Sequence, residues 1–130
     1  MGATRTSMVQ ERYERFVRGD FAGALDQWAP DFVWADDSVG LPWSGRTEGR
    51  DAAAQVLMRT VQAFDTFALV PDEYLGDGDT VAVLGHIDVT KADRSGRISF
   101  VHLVRYRGDE VRELQVISDS LESARVLGLA

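Results

Sequence analysis

The sequence predicts a single α+β domain in which helices pack on one face of a curved, mostly antiparallel sheet. Helical spacing of apolar residues dominates the first half of the chain, which also contains one strand-like segment. The second half contains strand-like segments separated by short turns. Helices followed by strands are typical of the α+β class. The length of 130 residues is usual for one domain, so we expect one domain over residues 1–130.

The first two predicted helices form a hairpin. Apolar residues recur at helical spacing over residues 8–18, charged residues such as Arg12 occupy the opposite face, and the helix ends at Gly19. Asp20 is a good N-cap for a second short helix, which Pro30 stops. The apolar face of that helix is predicted to consist of Phe21, Ala24, Leu25 and Trp28.

A short strand and a third helix follow. Residues 31–37 have the aromatic and β-branched bias of a strand. The next segment, SVGLPWSGRTEG, is rich in glycine and is predicted to be a loop. Residues 50–64 again carry apolar side chains at helical spacing, which predicts the third helix.

The rest of the chain predicts an antiparallel meander and a last short helix. The strands are predicted at residues 66–75, 80–90, 97–107 and 111–118. Asp119 or Ser120 can cap a helix over residues 121–127, which ends at Gly128.

Alternation along the third strand of the meander decides which of its side chains face the core. The covered set is predicted to be Ile98, Phe100, His102, Val104 and Tyr106, because the alternate set contains two arginines. If Thr90 pairs with Arg97, Gly85 lies opposite His102 and His86 lies on the other face.

The register of the last strand is left open between two alternatives. A two-residue turn at Gly108 and Asp109 would put Glu113 and Gln115 beside His102. A one-residue bulge would put Leu114 and Val116 there instead, and this apolar alternative is the better prediction.

Composition excludes several classes of function. A formal net charge of -7 disfavours nucleic acid and anionic membranes as partners, and the absence of cysteine excludes disulfides and thiolate sites. The two histidines are expected on opposite faces, so no metal site is predicted, and no phosphate-binding glycine motif points to a cofactor. No signal peptide or membrane-length apolar run is present, which favours the cytoplasm.

Three side chains are candidates for chemistry. Asp36 ends a strand beside indoles, where desolvation suits a general base or acid, although an aspartate that opens a turn would look the same. His102 could polarise an oxyanion or move a proton, or be a core histidine satisfied by a neighbour. Tyr13 places a phenol on the inner face of the first helix, where most tyrosines only pack.

Aromatic side chains are numerous enough to line a site for an apolar ligand, although an aromatic core would give the same pattern. The predicted lining residues are Phe16, Trp28, Phe32, Trp34, Trp43, Phe64, Phe100 and Tyr106.

Four segments together resemble a known family: RYERFVRGDFAGALDQWAPDFVWADD, VGLPWSGRTEGRDAA, GDGDTVAVLG and ISDSLESARVLG. They are similar to SnoaL-like, ketosteroid isomerase-like members of the nuclear transport factor 2-like superfamily. The resemblance implies a cone-shaped α+β barrel whose sheet wraps around three N-terminal helices, with a short C-terminal helix and a deep pocket. It also implies a homodimer formed through the sheet.

The resemblance also suggests roles for the candidate residues. ADDSVGLP resembles the ketosteroid isomerase segment that bears the catalytic aspartate, and Asp36 is the matching position. His102 falls where that enzyme has an oxyanion-hole carboxylic acid, and Tyr13 lies one residue out of register with its catalytic tyrosine. VGLP is similar to the polyether epoxide hydrolase and cyclase branch.

The expected function is therefore a cofactor-independent isomerase, cyclase or epoxide hydrolase. Its substrate would be a small hydrophobic molecule of polyketide or terpenoid kind. The alternative is a non-catalytic homologue that binds such a molecule without changing it.

Overall fold

The computed structural model describes residues 4–130 and confirms the α+β class. Within these residues the helices are α1 (Arg5–Val17), α2 (Phe21–Ala24), α3 (Arg50–Gln62) and α4 (Ser120–Leu127). The strands are β1 (Trp28–Asp36), β2 (Gly45–Glu48), β3 (Thr66–Asp77), β4 (Thr80–Lys91), β5 (Arg94–Arg107) and β6 (Glu110–Ser118). No helix in this part of the chain is long and apolar enough to cross a membrane.

The six strands form one curved sheet that does not close, in the order β2-β1-β6-β5-β4-β3. Only the β1–β6 pair is parallel, since every other neighbouring pair runs antiparallel. α1 packs against β3 and β4, α3 against β1 and β2, and α4 against β5 and β4. The sheet therefore wraps around helices at both ends of its strand order.

Predicted helix caps at both ends of the chain are present. The Asp20 side chain accepts a hydrogen bond from the backbone N–H of Gly23, and Asp119 accepts one from Glu122. α4 ends at Gly128, which adopts the left-handed backbone conformation with φ 77.

The second helix and the loop after the first strand were predicted wrongly. α2 stops at Ala24, and Trp28 begins β1 instead of lying on a helix. The backbone N–H of Val111 donates to the carbonyl of Gln27 at 2.7 Å, so pairing with β6 draws this segment into the sheet. The SVGLPWSGRTEG segment contains β2, which pairs with β1.

The loop of the β4–β5 hairpin is shorter than predicted. Lys91 pairs with Arg94 across a two-residue turn, so Val83 lies opposite His102 and the expected pairing of Thr90 with Arg97 is wrong by two residues. The turn is held by a hydrogen bond of 2.8 Å from the N–H of Ala92 to the carboxylate of Asp65. An even shift keeps every side chain on its predicted face.

The β5–β6 hairpin contains the predicted bulge. Arg105 pairs with Glu113 and Tyr106 with Val111, so one residue of β6 is left over between these pairs. The bulge brings Val116 opposite His102 and keeps Glu113 off the inner face.

A homodimer formed through the sheet stays a prediction.

Gly85 fits a place on β4 where no side chain has room. A Cβ there would lie 3.0 Å from the ring of Phe100 and 2.9 Å from the Cα of Pro71, and would collide with the carbonyl oxygen of Val70. The Phe100 ring in turn stacks on His102 at 4.1 Å between centroids. A glycine at this position therefore leaves room for the Phe100 ring that stacks on His102.

We expect Gly85→Ala to lower the free energy of unfolding by about 1–3 kcal/mol, because overpacking forces backbone shifts. Ala82→Gly, on the outer face of the same strand, should cost less, about 0.5–1 kcal/mol. Urea denaturation of both variants and the wild type measures this difference. Equal losses in the two variants would contradict the packing argument.

Candidate active site

A large apolar cavity lies between the inner face of the sheet and helices α1 and α3. The cavity and its open mouth together contain about 1070 Å³ of space not occupied by atoms. Of the aromatic side chains predicted to line a site, six do so: Phe16, Trp28, Trp34, Trp43, Phe64 and Tyr106.

The other two predicted lining residues support the wall from behind. Phe32 is fully buried and stacks on Trp28 at 3.8 Å between ring centroids. Phe100 stacks on the imidazole of His102. Both are core residues that fix the orientation of a side chain on the cavity wall.

Asp36 and His102 lie in one row across three adjacent strands. Asp36 on β1 is the register partner of Val116 on β6, and Val116 is the register partner of His102 on β5. Two strand spacings put their Cα atoms about 10 Å apart. Both side chains line the same cavity, so the acid and the imidazole face the same space from neighbouring positions.

His102 is joined to Tyr13 by a hydrogen bond of 2.7 Å between the phenol oxygen and Nδ1. Burial lowers the pKa of His102 from 6.5 to about 3, so the ring is neutral near pH 7. Burial, with a smaller contribution from Tyr74, raises the pKa of the Tyr13 phenol, which therefore stays protonated. His102 on the sheet and Tyr13 on α1 thus form a hydrogen-bonded pair in which both groups are neutral.

The proton arrangement of this pair follows from the relative basicity of its members. An imidazole nitrogen is a better acceptor than a phenol oxygen, so Tyr13 donates its O–H to Nδ1. In that tautomer the second nitrogen, Nε2, carries the ring proton. Nε2 has no partner among residues 4–130 and is available as a donor.

Asp36 is 5% exposed and ends β1. Its Oδ1 accepts a hydrogen bond of 2.8 Å from the N–H of Ser38, which is the turn-opening geometry expected as the alternative to a catalytic role. The pKa of Asp36 is raised, mainly because the carboxyl group is buried. Ser38 and the Trp34 side chain oppose this shift, and the charge of Asp37 adds to it. One carboxylate thus opens the turn and also faces the cavity.

Two further polar side chains of the cavity wall, Arg12 and Tyr106, are already paired. Arg12 binds Asp26 at 2.7 Å, and the Tyr106 hydroxyl donates to Gln27 at 2.8 Å. The sequence pattern predicts that Arg12 lies on the outer face of α1, and this prediction is wrong. Arg12 lines the cavity, where its guanidinium group forms an ion pair with Asp26. Gln27, Thr60, Ser118 and Ser123 also line the cavity and carry no sequence signal that could have identified them.

His86 lies on the opposite face of the sheet, as predicted. Its ring nitrogens are 3.4 Å from Asp72 and 3.6 Å from Asp88. In the described part of the chain, no group of three or more histidine and acidic side chains could hold a metal ion. The arrangement in the cavity is therefore one acid facing a neutral donor pair.

A family model for the SnoaL-like domain matches residues 9–114, which is most of the chain. No curated protein matches the sequence.

Solved structures share the fold over nearly the whole chain. A nuclear transport factor 2-like protein of unknown function from Burkholderia pseudomallei is 28% identical, with a TM-score of 0.85 over 96% of this chain and 98% of that chain. IdmH from Streptomyces antibioticus, a proposed polyketide cyclase, is 22% identical, with a TM-score of 0.76 over 96% of this chain and 99% of that chain. AclR from Streptomyces galilaeus, a proposed hydroxylase, is 16% identical, with a TM-score of 0.77 over 97% of this chain and 85% of that chain.

Neutral His102 makes the folded state sensitive to acid. Its pKa is about 3 in the folded protein and near 6.5 in the unfolded chain, so the unfolded chain binds the extra proton between these values. The contribution of neutral His102 to the free energy of unfolding is fully present above pH 6.5 and falls as the pH decreases toward 3. Between pH 7.5 and 5.0 the loss from this group should be roughly 2 kcal/mol.

We expect His102→Gln to reduce the loss of stability between pH 7.5 and 5.0 by about this 2 kcal/mol, as measured by urea denaturation at the two pH values. The matched control, His86→Gln, removes the outer histidine and should keep a loss of at least that size. An unchanged pH dependence in His102→Gln would show that His102 is not buried as a neutral group.

Proposed function

We propose that this chain, which belongs to the SnoaL-like domain family of the nuclear transport factor 2-like superfamily, is a cofactor-independent acid–base enzyme. Its substrate would be a small hydrophobic molecule of polyketide or terpenoid kind. One observation carries the proposal: Asp36 on β1 and the pair formed by His102 on β5 and Tyr13 on α1 face a single apolar cavity. Groups that converge in this way from separate elements are typical of catalytic sites.

Asp36 is the proposed proton carrier. Its position in an apolar wall raises its affinity for a proton, which brings a carboxylate closer to the basicity that a general base needs at neutral pH. With Oδ1 bound to Ser38, Oδ2 is the atom that takes the proton. The electron pair left on the substrate then moves onto a neighbouring oxygen, and the protonated Asp36 returns the proton elsewhere on the molecule.

His102 is the proposed donor to that oxygen. Because the ring is neutral and Tyr13 occupies Nδ1, Nε2–H can hydrogen-bond an oxygen on which negative charge develops. A fixed donor in a site without water is worth more than the same donor in solution, since it needs no reorganisation. Tyr13 fixes both the tautomer and the orientation of the ring.

The structural relatives are consistent with chemistry on hydrophobic substrates. Two of them are a proposed polyketide cyclase and a proposed hydroxylase. Because their identity to this chain is low, these relatives support the fold alone. The proposed chemistry rests on the cavity and its polar groups.

Asp36→Asn should lower turnover by at least about 100-fold, because it removes general acid–base catalysis and keeps the size of the side chain. Asp37→Asn is the matched control. Asp37 is the neighbouring acid, but it is exposed and binds Gln115, so this variant should keep turnover near the wild-type value.

The measurement begins with the wild-type protein and a panel of polycyclic aromatic polyketides and cyclic terpenoids, followed by mass spectrometry of the products. Kinetics of both variants are then compared on the converted compound. Wild-type turnover in Asp36→Asn would overturn the proposal. A compound that binds tightly to the wild type and is recovered unchanged would favour a binding homologue instead.

A further inference from the structure

The indole N–H of Trp34 is a buried polar group without a hydrogen-bond partner in the described chain. Trp34 is 5% exposed, and it lines the cavity. Buried N–H groups are nearly always paired, because an unpaired one loses its hydrogen bonds to water and gains nothing in return. An unpaired indole at this position therefore needs an explanation.

Asp36 is the one buried residue of β1 whose side chain can accept a hydrogen bond. Trp34 and Asp36 are separated by one residue on β1, so alternation places both side chains on the inner face. The Trp34 side chain lowers the pKa of Asp36, although the indole N–H forms no hydrogen bond in this structure. In ligand-free sites, catalytic hydrogen bonds are often long and become shorter in the working state.

We propose that Trp34 is a positioning residue for Asp36, whose ionised carboxylate accepts a hydrogen bond from the indole N–H. Ser38 already holds Oδ1 from the turn, and Trp34 holds the carboxylate from the strand. Two donors on different sides fix the plane of the carboxylate and leave one direction open toward the cavity. The proposal deepens the proposed function, because it rests on Asp36 as the group that moves the proton.

The surrounding charges explain why a donor is useful here. Asp37, the residue that follows β1, disfavours the ionised form of Asp36. On β2, Arg46 and Glu48 are register partners of Ala35 and Val33, which alternate with Asp36 and so point to the outer face.

The facing strands do not supply a cation either. Glu113 on β6 binds Arg46 and Arg105, and the neutral His102 on β5 carries no charge. The indole dipole is then a neutral source of stabilisation for the carboxylate, and hydrogen bonds to a charged acceptor are roughly twice as strong as those to a neutral one.

The first test follows the wild-type protein by NMR and needs no substrate. The chain has 3 tryptophans, and the spectrum of Trp34→Phe identifies the indole signal that belongs to Trp34. As pH rises, the Trp34 indole proton should move downfield with the same midpoint as the side-chain carbon of Asp36. In Asp36→Asn this movement should be absent. A Trp34 signal that ignores the ionisation of Asp36 would overturn the proposal.

The second test compares Trp34→Phe with Trp43→Phe, which changes another tryptophan of the same cavity. If the indole N–H stabilises the carboxylate, Trp34→Phe raises the proton affinity of Asp36 about tenfold, whereas Trp43→Phe does not raise it. If Trp34 is only an apolar wall, the smaller ring admits water and the proton affinity falls. The sign of the change therefore separates the two roles.

These results stand apart from the test of the proposed function. Loss of turnover in Asp36→Asn with no link between Trp34 and Asp36 would reject the positioning role alone. A clear link with normal turnover in Asp36→Asn would reject the catalytic role of Asp36 alone.

Discussion

The strand β6 fixes the site, because it pairs in parallel with β1 and antiparallel with β5. Through these two ladders Val116 is the register partner of both Asp36 and His102. A shift of one residue in either ladder would turn one of the two side chains to the outer face. The bulge after Arg105 belongs to the same constraint, since without it the acidic side chain of Glu113 would share the inner face with His102. The β6 register therefore decides both the positions of Asp36 and His102 and the apolar character of the wall between them.

Burial of polar groups in this wall has a different consequence for each group. The cavity disfavours charge, so the pKa of Asp36 is raised and that of His102 is lowered. His102 and Tyr13 satisfy each other as neutral groups, and their hydrogen bond also connects α1 to the middle of the sheet. Arg12 keeps its charge at the wall because Asp26 is paired with it. The same low-dielectric surroundings thus hold a neutral donor and a carboxylate ready to accept a proton within one cavity.

Much of the fold could be predicted because side-chain period is a local property. The inner faces of β4 and β5 were predicted although the pairing was wrong, since the error of two residues does not change the face. Trp28 could not be placed, because a backbone hydrogen bond from Val111 on a distant strand decides that its segment joins the sheet. Arg12 could not be placed either, as its inward position depends on Asp26 in the segment after α2. Asp36, His102 and Tyr13 were all identified as candidates, but the contact between Tyr13 and His102 joins a helix to a strand that no local pattern relates.

The charge states of the cavity also bear on the kind of reaction that the proposed function would involve. His102 is neutral far below pH 7 and Tyr13 remains protonated, so neither is suited to hold a transferred proton. In the proposed function, Asp36 would then be the group that both removes and returns a proton. Reactions that move one proton between two positions of the same molecule, as in isomerisation or the enolisation step of a cyclisation, need only such a group and a donor for the intermediate oxygen. Opening an epoxide needs in addition an acid that protonates the leaving oxygen while a base activates water. The pairing of one acid with one neutral donor therefore favours isomerase or cyclase chemistry over hydrolysis.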